Sequence, residues 1–273
     1  MEDFPGNIVH FEHVNLKQPD QRLATIFYVS GLGLTRDPYM MTGIENMWIN
    51  IGRNQLHLPT GPPQRLRGTI GLVVPDLITL KKRLDYVAPL LAETRFAFAD
   101  DDGFVRVSCP WGNSFRCYAP SDKFGGIDLG LVYVEFNVPA GTADRIAAFY
   151  REIMGADVTA GVVRVGRHQH LLFRETNDAI PAYDGHHIQI YIDDFSRPFQ
   201  RLKERNRITR ETGVHEWRFR DIVDPETNAV LFEIEHEVRS VNHPLYRRPL
   251  VNRNPSQDNR NYVPGQDAFP GAI

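Results

Sequence analysis

The sequence predicts an α+β protein built from four βαβββ modules, each a strand, a helix and three further strands. The segment 187–192 alternates isoleucine with polar or aromatic residues, which indicates a strand with one apolar and one polar face. The spacing of marker residues recurs, because Phe27 follows His13 at the same interval at which Phe149 follows Glu135. A recurring interval of this kind is typical of several copies of one supersecondary unit.

The modules follow one another along the chain, each beginning with its first strand. We assign them to residues 8–60, 67–120, 130–176 and 185–240. In the first module a helix is expected from Asp20 to Tyr28, and the last module closes with an Asp-Pro turn at Asp224 that enters the strand 230–238. The non-periodic sequence after Val241 indicates an extended structural arm, or alternatively a lid in which Tyr246 contacts a ligand.

Domain boundaries follow from linker-like composition at residues 121–129. The sequence therefore predicts an N-terminal domain over residues 1–124, a C-terminal domain over 130–240 and the arm over 241–273.

Bulk composition excludes several classes of partner. The net charge is −3 and the isoelectric point about 6.4, without a basic stripe, which argues against nucleic acid as a partner. The N-terminus lacks an apolar signal region and no run of about 18 apolar residues occurs, so we expect no membrane partner and a cytoplasmic location. Cys109 and Cys117 are expected to be reduced thiols. A small-molecule substrate is expected, and homo-oligomerisation stays open.

Four features, in their order and spacing, resemble the vicinal oxygen chelate superfamily, which includes glyoxalase I, bleomycin- and fosfomycin-resistance proteins and extradiol dioxygenases. They are His13…Phe27-Tyr28…Gly33, Glu135…Phe149-Tyr150…Gly155, His187 seven residues before Asp194, and the Asp-Pro turn before a glutamate-rich strand. The resemblance covers residues 8–240 and implies that the modules pair into two open-barrel domains of the glyoxalase/extradiol-dioxygenase type, each around a metal or ligand cavity.

The resemblance also implies which side chains bind a metal, because the family takes ligands from the first and last strands of its modules. In the C-terminal domain these positions are Glu135, His187 and either Glu233 or Glu235, with His170 as a fourth ligand. From the residues alone, His187 is equally consistent with a histidine hydrogen-bonded at a strand end, and the glutamates with a solvated strand face.

His215 resembles a histidine of the dioxygenases that lies beside the metal without binding it and acts as an acid or base. Glu135 departs from the family pattern, in which a histidine is expected, and its carboxylate either binds the metal, acts as a general base or pairs with an arginine. Two histidines with one carboxylate suit Fe(II) oxygen chemistry, whereas one imidazole with two carboxylates is an oxygen-rich set closer to what Mn, Mg or a lyase-type site accepts. The resemblance therefore implies a divalent metal, Fe(II) or Mn(II), with Zn(II) as an alternative.

The N-terminal half resembles a degenerate copy of the same site. His13 occupies the first ligand position and His57 lies on the fourth strand, but Thr69 replaces the second histidine. Arg116 stands where the carboxylate is expected, and a guanidinium group repels a divalent cation. The predicted function is therefore a metal-dependent enzyme, a dioxygenase or a lyase/isomerase, whose site lies in the C-terminal half. The alternative is a metal-free protein that binds or sequesters a small molecule.

Overall fold

The computed structural model describes residues 6–40 and 43–269. Within them the order strand, helix and three strands occurs four times, as predicted. The elements are β1 (Ile8–Asn15), α1 (Gln21–Ala24) with a π-helical turn (Thr25–Gly31), β2 (Thr35–Arg36), β3 (Asn46–Ile51), β4 (Asn54–Pro59), β5 (Gly68–Val73), α2 (Leu77–Val87) with a 3₁₀ turn (Ala88–Leu90), β6 (Ala97–Asp101), β7 (Phe104–Ser108), β8 (Ser114–Tyr118), a 3₁₀ turn (Asp122–Phe124), β9 (Gly130–Pro139), α3 (Ala143–Glu152), β10 (Val158–Thr159), β11 (Val162–Gly166), β12 (Gln169–Thr176), β13 (His187–Ile192), α4 (Ser196–Glu204), β14 (Ile208–Thr212), β15 (Glu216–Val223) and β16 (Val230–Ser240).

The chain divides into two compact units. Unit 1 combines the residues up to Val14 with Tyr133–Arg248, and unit 2 combines Asn15–Val132 with the residues from Pro249 onward. These limits differ from the predicted domains, because β1 lies beside β13 and so places the N-terminal strand with the C-terminal half.

Unit 1 contains two open sheets. In the first, the strands run β14-β15-β16-β13-β1, and in the second β10-β11-β12-β9. The pairs β13–β16 and β12–β9 are parallel, whereas β14–β15, β15–β16, β10–β11 and β11–β12 are antiparallel. A parallel pair needs a long crossover, which the helix and hairpin strands of each module supply. This topology puts the first and last strands of a module side by side.

The core of unit 1 is formed where α3 packs on the sheets. Phe149 and Tyr150 are fully buried, and the Phe149 ring lies 5.7 Å from the ring of Phe219 on β15. Tyr150 places its hydroxyl 2.6 Å from Nε2 of His236 on β16, so that the polar end of the ring has a partner inside the core. The apolar positions of the predicted helix therefore fix how α3 sits on the sheet.

Unit 2 repeats this arrangement around its own helices, with strands in the orders β4-β3-β2 and β5-β8-β7-β6. Asp20 caps α1 by accepting a hydrogen bond from the Leu23 amide at 2.9 Å, as expected for the start of the predicted helix. Phe27 and Tyr28 are fully buried, like Phe149 and Tyr150 at the corresponding positions of unit 1. The Phe27 ring lies 6.0 Å from that of Phe115 on β8.

The C-terminal segment is divided between the units. Tyr246, in unit 1, packs its ring 4.9 Å from that of Tyr191. In unit 2, the side-chain amide of Asn252 donates to the Gly52 carbonyl at 2.8 Å. The backbone amide of Arg253 donates to Thr35 Oγ1 at 2.9 Å. Every helix in the described part of the chain is too short or too polar to cross a lipid bilayer.

Candidate metal centre

One face of the β13–β16 pair is polar although it is buried or half-buried. Along a strand, alternate side chains share a face, and the register of the two strands puts three rows of side chains opposite one another. The rows are His187 with Glu235, Gln189 with Glu237, and Tyr191 with Arg239. Ile188, Ile190 and Ile192 face the other way, as the sequence predicted. A polar face held away from water requires partners for its charges.

His13, His187 and Glu237 form the group of this face that is suited to a metal. Each offers one ligand atom, and these atoms lie within 4.8 Å of one another. All three residues are buried. His13 comes from β1, His187 begins β13 and Glu237 lies near the end of β16, three strands that are adjacent in the sheet. Two imidazoles and one carboxylate are the donor set of non-haem Fe(II) sites.

The carboxylate of Glu12 fixes the tautomer of His13. Glu12 Oε2 lies 2.5 Å from His13 Nδ1. Burial alone would raise the pKa of Glu12, but the charges of His13 and Arg239 outweigh it and lower that pKa, so the carboxylate is ionised and only accepts. His13 Nδ1 therefore donates to this carboxylate, and Nε2 is the ring nitrogen left for a metal. This carboxylate–imidazole pairing is the usual support of a metal-binding histidine.

Two arginines hold the carboxylate of Glu237. Arg218 Nη2 donates to Glu237 Oε2, and Arg239 Nη2 lies 2.5 Å from Glu237 Oε1. Burial would raise the pKa of Glu237, but His187, His13 and the two arginines hold it well below its usual range. The carboxylate is thus ionised and oriented, with His187 Nε2 at 3.5 Å from Oε2.

His187 is neutral, as a metal ligand must be. Burial lowers its pKa, against the opposing effect of Glu237. Its Nε2 is buried and makes no hydrogen bond of ordinary geometry among the described residues, although Glu237 Oε2 lies 3.5 Å away. A buried nitrogen without such a hydrogen bond costs free energy unless a ligand satisfies it.

The ionised side chains around the cluster carry a net negative formal charge, which favours a bound cation. The ion pairs link four carboxylates to two guanidinium groups, which leaves a formal charge of −2. The members are Glu12, Glu216, Glu235, Glu237, Arg218 and Arg239. A divalent cation would neutralise this charge, so the donor set and the electrostatics both fit such an ion, although the arginines compete for Glu237.

The predicted glutamates lie on the expected strand, on the same side as Glu237, but in rows nearer its beginning. Glu235 is opposite His187, with Oε1 at 3.8 Å from His187 Nδ1 and at 2.9 Å from Arg218 Nη1. Glu233 lies beside the exposed Arg220, 3.4 Å from its Nε. Glu237, rather than Glu233 or Glu235, completes the cluster. The interval counted along the chain from the turn at Asp224 ended before Glu237, because β15 and β16 are long and the register between them shifts twice.

The other predicted residues lie outside the cluster. Glu135 is on β9 and His170 on β12, in the second sheet of unit 1, opposite Leu172 and Tyr133 respectively. Burial lowers the pKa of His170. His215 is half-buried in the turn before β15, and its carbonyl accepts from the Ser240 amide at 3.0 Å.

The pairing of β1 with β13 also places His13 in a different half from the one that the sequence predicted. The sequence placed it in a degenerate N-terminal site, whereas it lies with His187 in unit 1, their ring centroids 5.7 Å apart. Arg116 is in unit 2, where its guanidinium lies 5.7 Å from the centre of the Phe104 ring. His57, also in unit 2, stacks on Trp48 at 3.8 Å.

Comparison with known proteins agrees with this architecture. Residues 131–233 match the family model described as Glyoxalase/Bleomycin resistance protein/Dioxygenase superfamily. The match covers less than half of the chain, so it shows a likeness of this segment to the superfamily. The matched segment includes His187 and ends before Glu237. No curated protein matches the chain.

Three solved structures share the fold of this protein over most of the chain. A putative dioxygenase from Bacillus subtilis subsp. subtilis str. 168 is 15% identical, with a TM-score of 0.55, covering 86% of this chain and 85% of that one. Glyoxalase I from Zea mays is 12% identical, with a TM-score of 0.57, covering 85% and 92%. The cppA protein from Streptococcus pneumoniae TIGR4 is 12% identical, with a TM-score of 0.53, covering 86% and 99%.

Proposed function

We propose that this protein is a metal-dependent enzyme of the vicinal oxygen chelate type that acts on a small oxygenated molecule. His13, His187 and Glu237 would hold Fe(II) or Mn(II), with Zn(II) as an alternative. The observation that carries the proposal is the convergence of these three side chains within 4.8 Å on a buried face of formal charge −2. We also propose a cytoplasmic protein without nucleic-acid or membrane partners.

The bound ion would supply Lewis-acid polarisation of two adjacent substrate oxygens. The residues around the site would orient the metal-binding side chains. Glu12 keeps the proton of His13 on Nδ1, and Arg218 and Arg239 hold the Glu237 carboxylate toward His187. Because these groups are buried, or half-buried in the case of Arg218, and linked by ion pairs, they are ordered before substrate arrives, which lowers the cost of reorganisation during the reaction.

For proton transfer we propose His215, with Glu135 as the alternative base. His215 directly precedes Glu216, whose carboxylate oxygens lie 3.3 Å from Arg218 and from Arg239. It is therefore anchored at the edge of the charged network, and it is half-buried. His215→Gln should lower turnover while leaving metal affinity unchanged, which separates proton transfer from ligation.

Titration calorimetry with Mn(II) and Zn(II) tests the metal site. Wild type should bind one ion, and His13→Ala, His187→Ala and Glu237→Gln should each abolish binding. Matched controls are His170→Ala and Glu233→Gln, which change the same residue types outside the cluster and should keep wild-type affinity. Retained binding in His13→Ala, or loss in His170→Ala, would show that the ion is held elsewhere.

A metal-free binding protein is the second candidate, and the arginine pairs favour it. Both oxygens of Glu237 already lie beside guanidinium groups, as expected if no cation is needed. In that case wild type should bind neither ion, and neither ion should raise its melting temperature. A metal-induced rise, lost in His187→Ala, would exclude this candidate because only a ligand of the native state stabilises it.

A further inference from the structure

Gln189 and Tyr191 follow His187 on the polar face of β13, and the proposed metal site makes no use of them. Both residues are fully buried. Neither the amide nitrogen nor the amide oxygen of Gln189 has a hydrogen-bond partner among the described residues. The hydroxyl of Tyr191 makes no hydrogen bond of ordinary geometry there, although it interacts with the guanidinium group of Arg239. Buried polar groups are nearly always paired, so two unpaired amide atoms and a weakly paired hydroxyl on one face need an explanation.

The surroundings of Tyr191 are aromatic and hold its ring in place. Its ring stacks on His10 with centroids 6.1 Å apart, and the rings of His243 and Tyr246 lie at 6.2 Å and 4.9 Å. Burial, followed by the carboxylate of Glu12, raises the pKa of Tyr191 well above its usual range, so the hydroxyl keeps its proton and can donate. A fixed ring with a weakly paired hydroxyl is suited to contact a ligand.

The positions along β13 give the spacing of these two side chains from His187. At a rise of about 3.3 Å per residue, Gln189 lies roughly 7 Å and Tyr191 roughly 13 Å along β13 from His187. The positive charge of Arg239, which lies opposite Tyr191, is already paired with carboxylates, because Arg239 lies 3.3 Å from Glu216 and 2.5 Å from Glu237. A further carboxylate would meet a face of negative formal charge.

We propose that Gln189 and Tyr191 form a substrate subsite for an uncharged polar group, such as a hydroxyl or carboxamide, on the part of this face that extends from the row of Glu237 toward Tyr191. The glutamine amide offers both a donor and an acceptor, and the tyrosine hydroxyl does the same. This inference rests on the proposed function, since it takes His13, His187 and Glu237 as the metal-binding end.

Stability distinguishes a ligand subsite from a structural pair. Gln189→Leu replaces unpaired buried atoms by apolar ones of similar shape, so it should raise the melting temperature by about 2–4 °C. Tyr191→Phe removes a hydroxyl that interacts only weakly with Arg239, so it should leave the melting temperature within about 2 °C of wild type. If the two side chains were satisfied parts of the core, both variants would melt below wild type, Tyr191→Phe by more than that margin, and the inference would be overturned. Ile190→Val, on the opposite face of the same strand, is the control and should lower the melting temperature.

Binding is measured on Zn(II)-loaded protein without oxygen, using 4-(hydroxymethyl)catechol and 4-methylcatechol as a matched pair of probes. Wild type should favour the hydroxymethyl compound by about tenfold, because it pairs the buried groups. The preference should disappear in Gln189→Leu and fall in Tyr191→Phe, while Zn(II) affinity stays within about twofold. An unchanged preference in both variants overturns the subsite, and tighter binding of 3,4-dihydroxybenzoate overturns its assignment to an uncharged group.

The two proposals fail separately. If wild type binds no metal, the proposed function fails, and the melting temperatures of Gln189→Leu and Tyr191→Phe together with probe binding to the metal-free protein still decide the subsite. If wild type binds metal but the variants keep the probe preference, only the subsite fails.

Discussion

Glu12 Oε2 lies 2.5 Å from Nδ1 of His13, the next residue along β1. The pair is buried, and Arg239 Nη1 lies 3.9 Å from the same carboxylate oxygen. In this contact Nδ1 donates to the carboxylate, which leaves Nε2 as the ring nitrogen available to the cluster. Such supporting carboxylates raise the basicity of a ligating imidazole and fix its orientation.

Glu12→Gln should therefore weaken metal binding without abolishing it. An amide can still accept from Nδ1–H, but the ionic support is lost, and a decrease in affinity of about 10- to 100-fold is expected. Calorimetry with Zn(II) measures it. Glu211→Gln is the matched control, because Glu211 is exposed and pairs with Lys203 at 3.3 Å. Equal affinities for Glu12→Gln and wild type would mean that Glu12 does not support the ligand.

A second prediction concerns the dependence of stability on pH. His236 is fully buried, donates from Nδ1 to the Ile234 carbonyl at 2.8 Å, and has Nε2 at 2.6 Å from the Tyr150 hydroxyl. Burial lowers the pKa of His236 to about 3. An unfolded histidine titrates near 6.5. The unfolded state thus binds the proton first, so this contribution to stability is full above pH 6.5 and is lost as the pH falls toward 3.

At pH 5 the loss from His236 should be about 2 kcal/mol relative to pH 7.5. His236→Gln cannot titrate, so its free energy of unfolding should fall by about 2 kcal/mol less over the same interval, although the variant is less stable at pH 7.5. Urea unfolding at the two pH values measures both. Parallel pH profiles for the variant and wild type would contradict the assignment.

Local features of the fold could be read from the sequence because they depend on neighbouring residues. The cap at Asp20 and the buried pairs that begin at Phe27 and Phe149 follow from side-chain chemistry and helical periodicity. The polar face of β13, including His187, likewise follows from the alternation of one strand.

The partners of His187 could not be read in the same way. His13 reaches it because β1 lies beside β13, a pairing of strands from opposite ends of the chain that no local pattern encodes. Alternation did place Glu233, Glu235 and Glu237 on one face of β16. Which row meets the imidazoles depends on the register and on the irregularities between β15 and β16, which are set by packing.

Phe27 and Phe149 should contribute similarly to the free energy of unfolding, each in its own unit. Both are fully buried in aromatic clusters, so Phe27→Ala and Phe149→Ala should each lower the free energy of unfolding by about 3–5 kcal/mol. Denaturant unfolding measures the loss. Tyr86→Ala is the control, since Tyr86 is 76% exposed, and it should change stability by no more than about 0.5 kcal/mol. A loss below about 1 kcal/mol at either phenylalanine would contradict its place in the core.

Arg218 acts on the cluster in two opposing ways. It donates to Glu237 and to Glu235, which orients the carboxylates, and its positive charge opposes a cation. A hydrogen bond to a charged group contributes about 1.5–3 kcal/mol. Two unit charges about 5 Å apart interact by roughly 3 kcal/mol at an effective dielectric constant of about 20, and a divalent ion doubles this. Repulsion should therefore outweigh orientation.

Arg218→Met should bind Zn(II) at least about tenfold more tightly than wild type, because the formal charge of the group changes from −2 to −3. Without metal the variant should melt below wild type, since it leaves the buried Glu237 with one guanidinium partner fewer. The rise in melting temperature on adding Zn(II) should accordingly be larger in the variant. Arg220→Met is the matched control, because Arg220 is exposed and contacts Asp221 and Glu233, and it should bind like wild type. Weaker binding by Arg218→Met would mean that holding Glu237 in place outweighs the charge, and absence of binding in all three proteins would favour the metal-free binder.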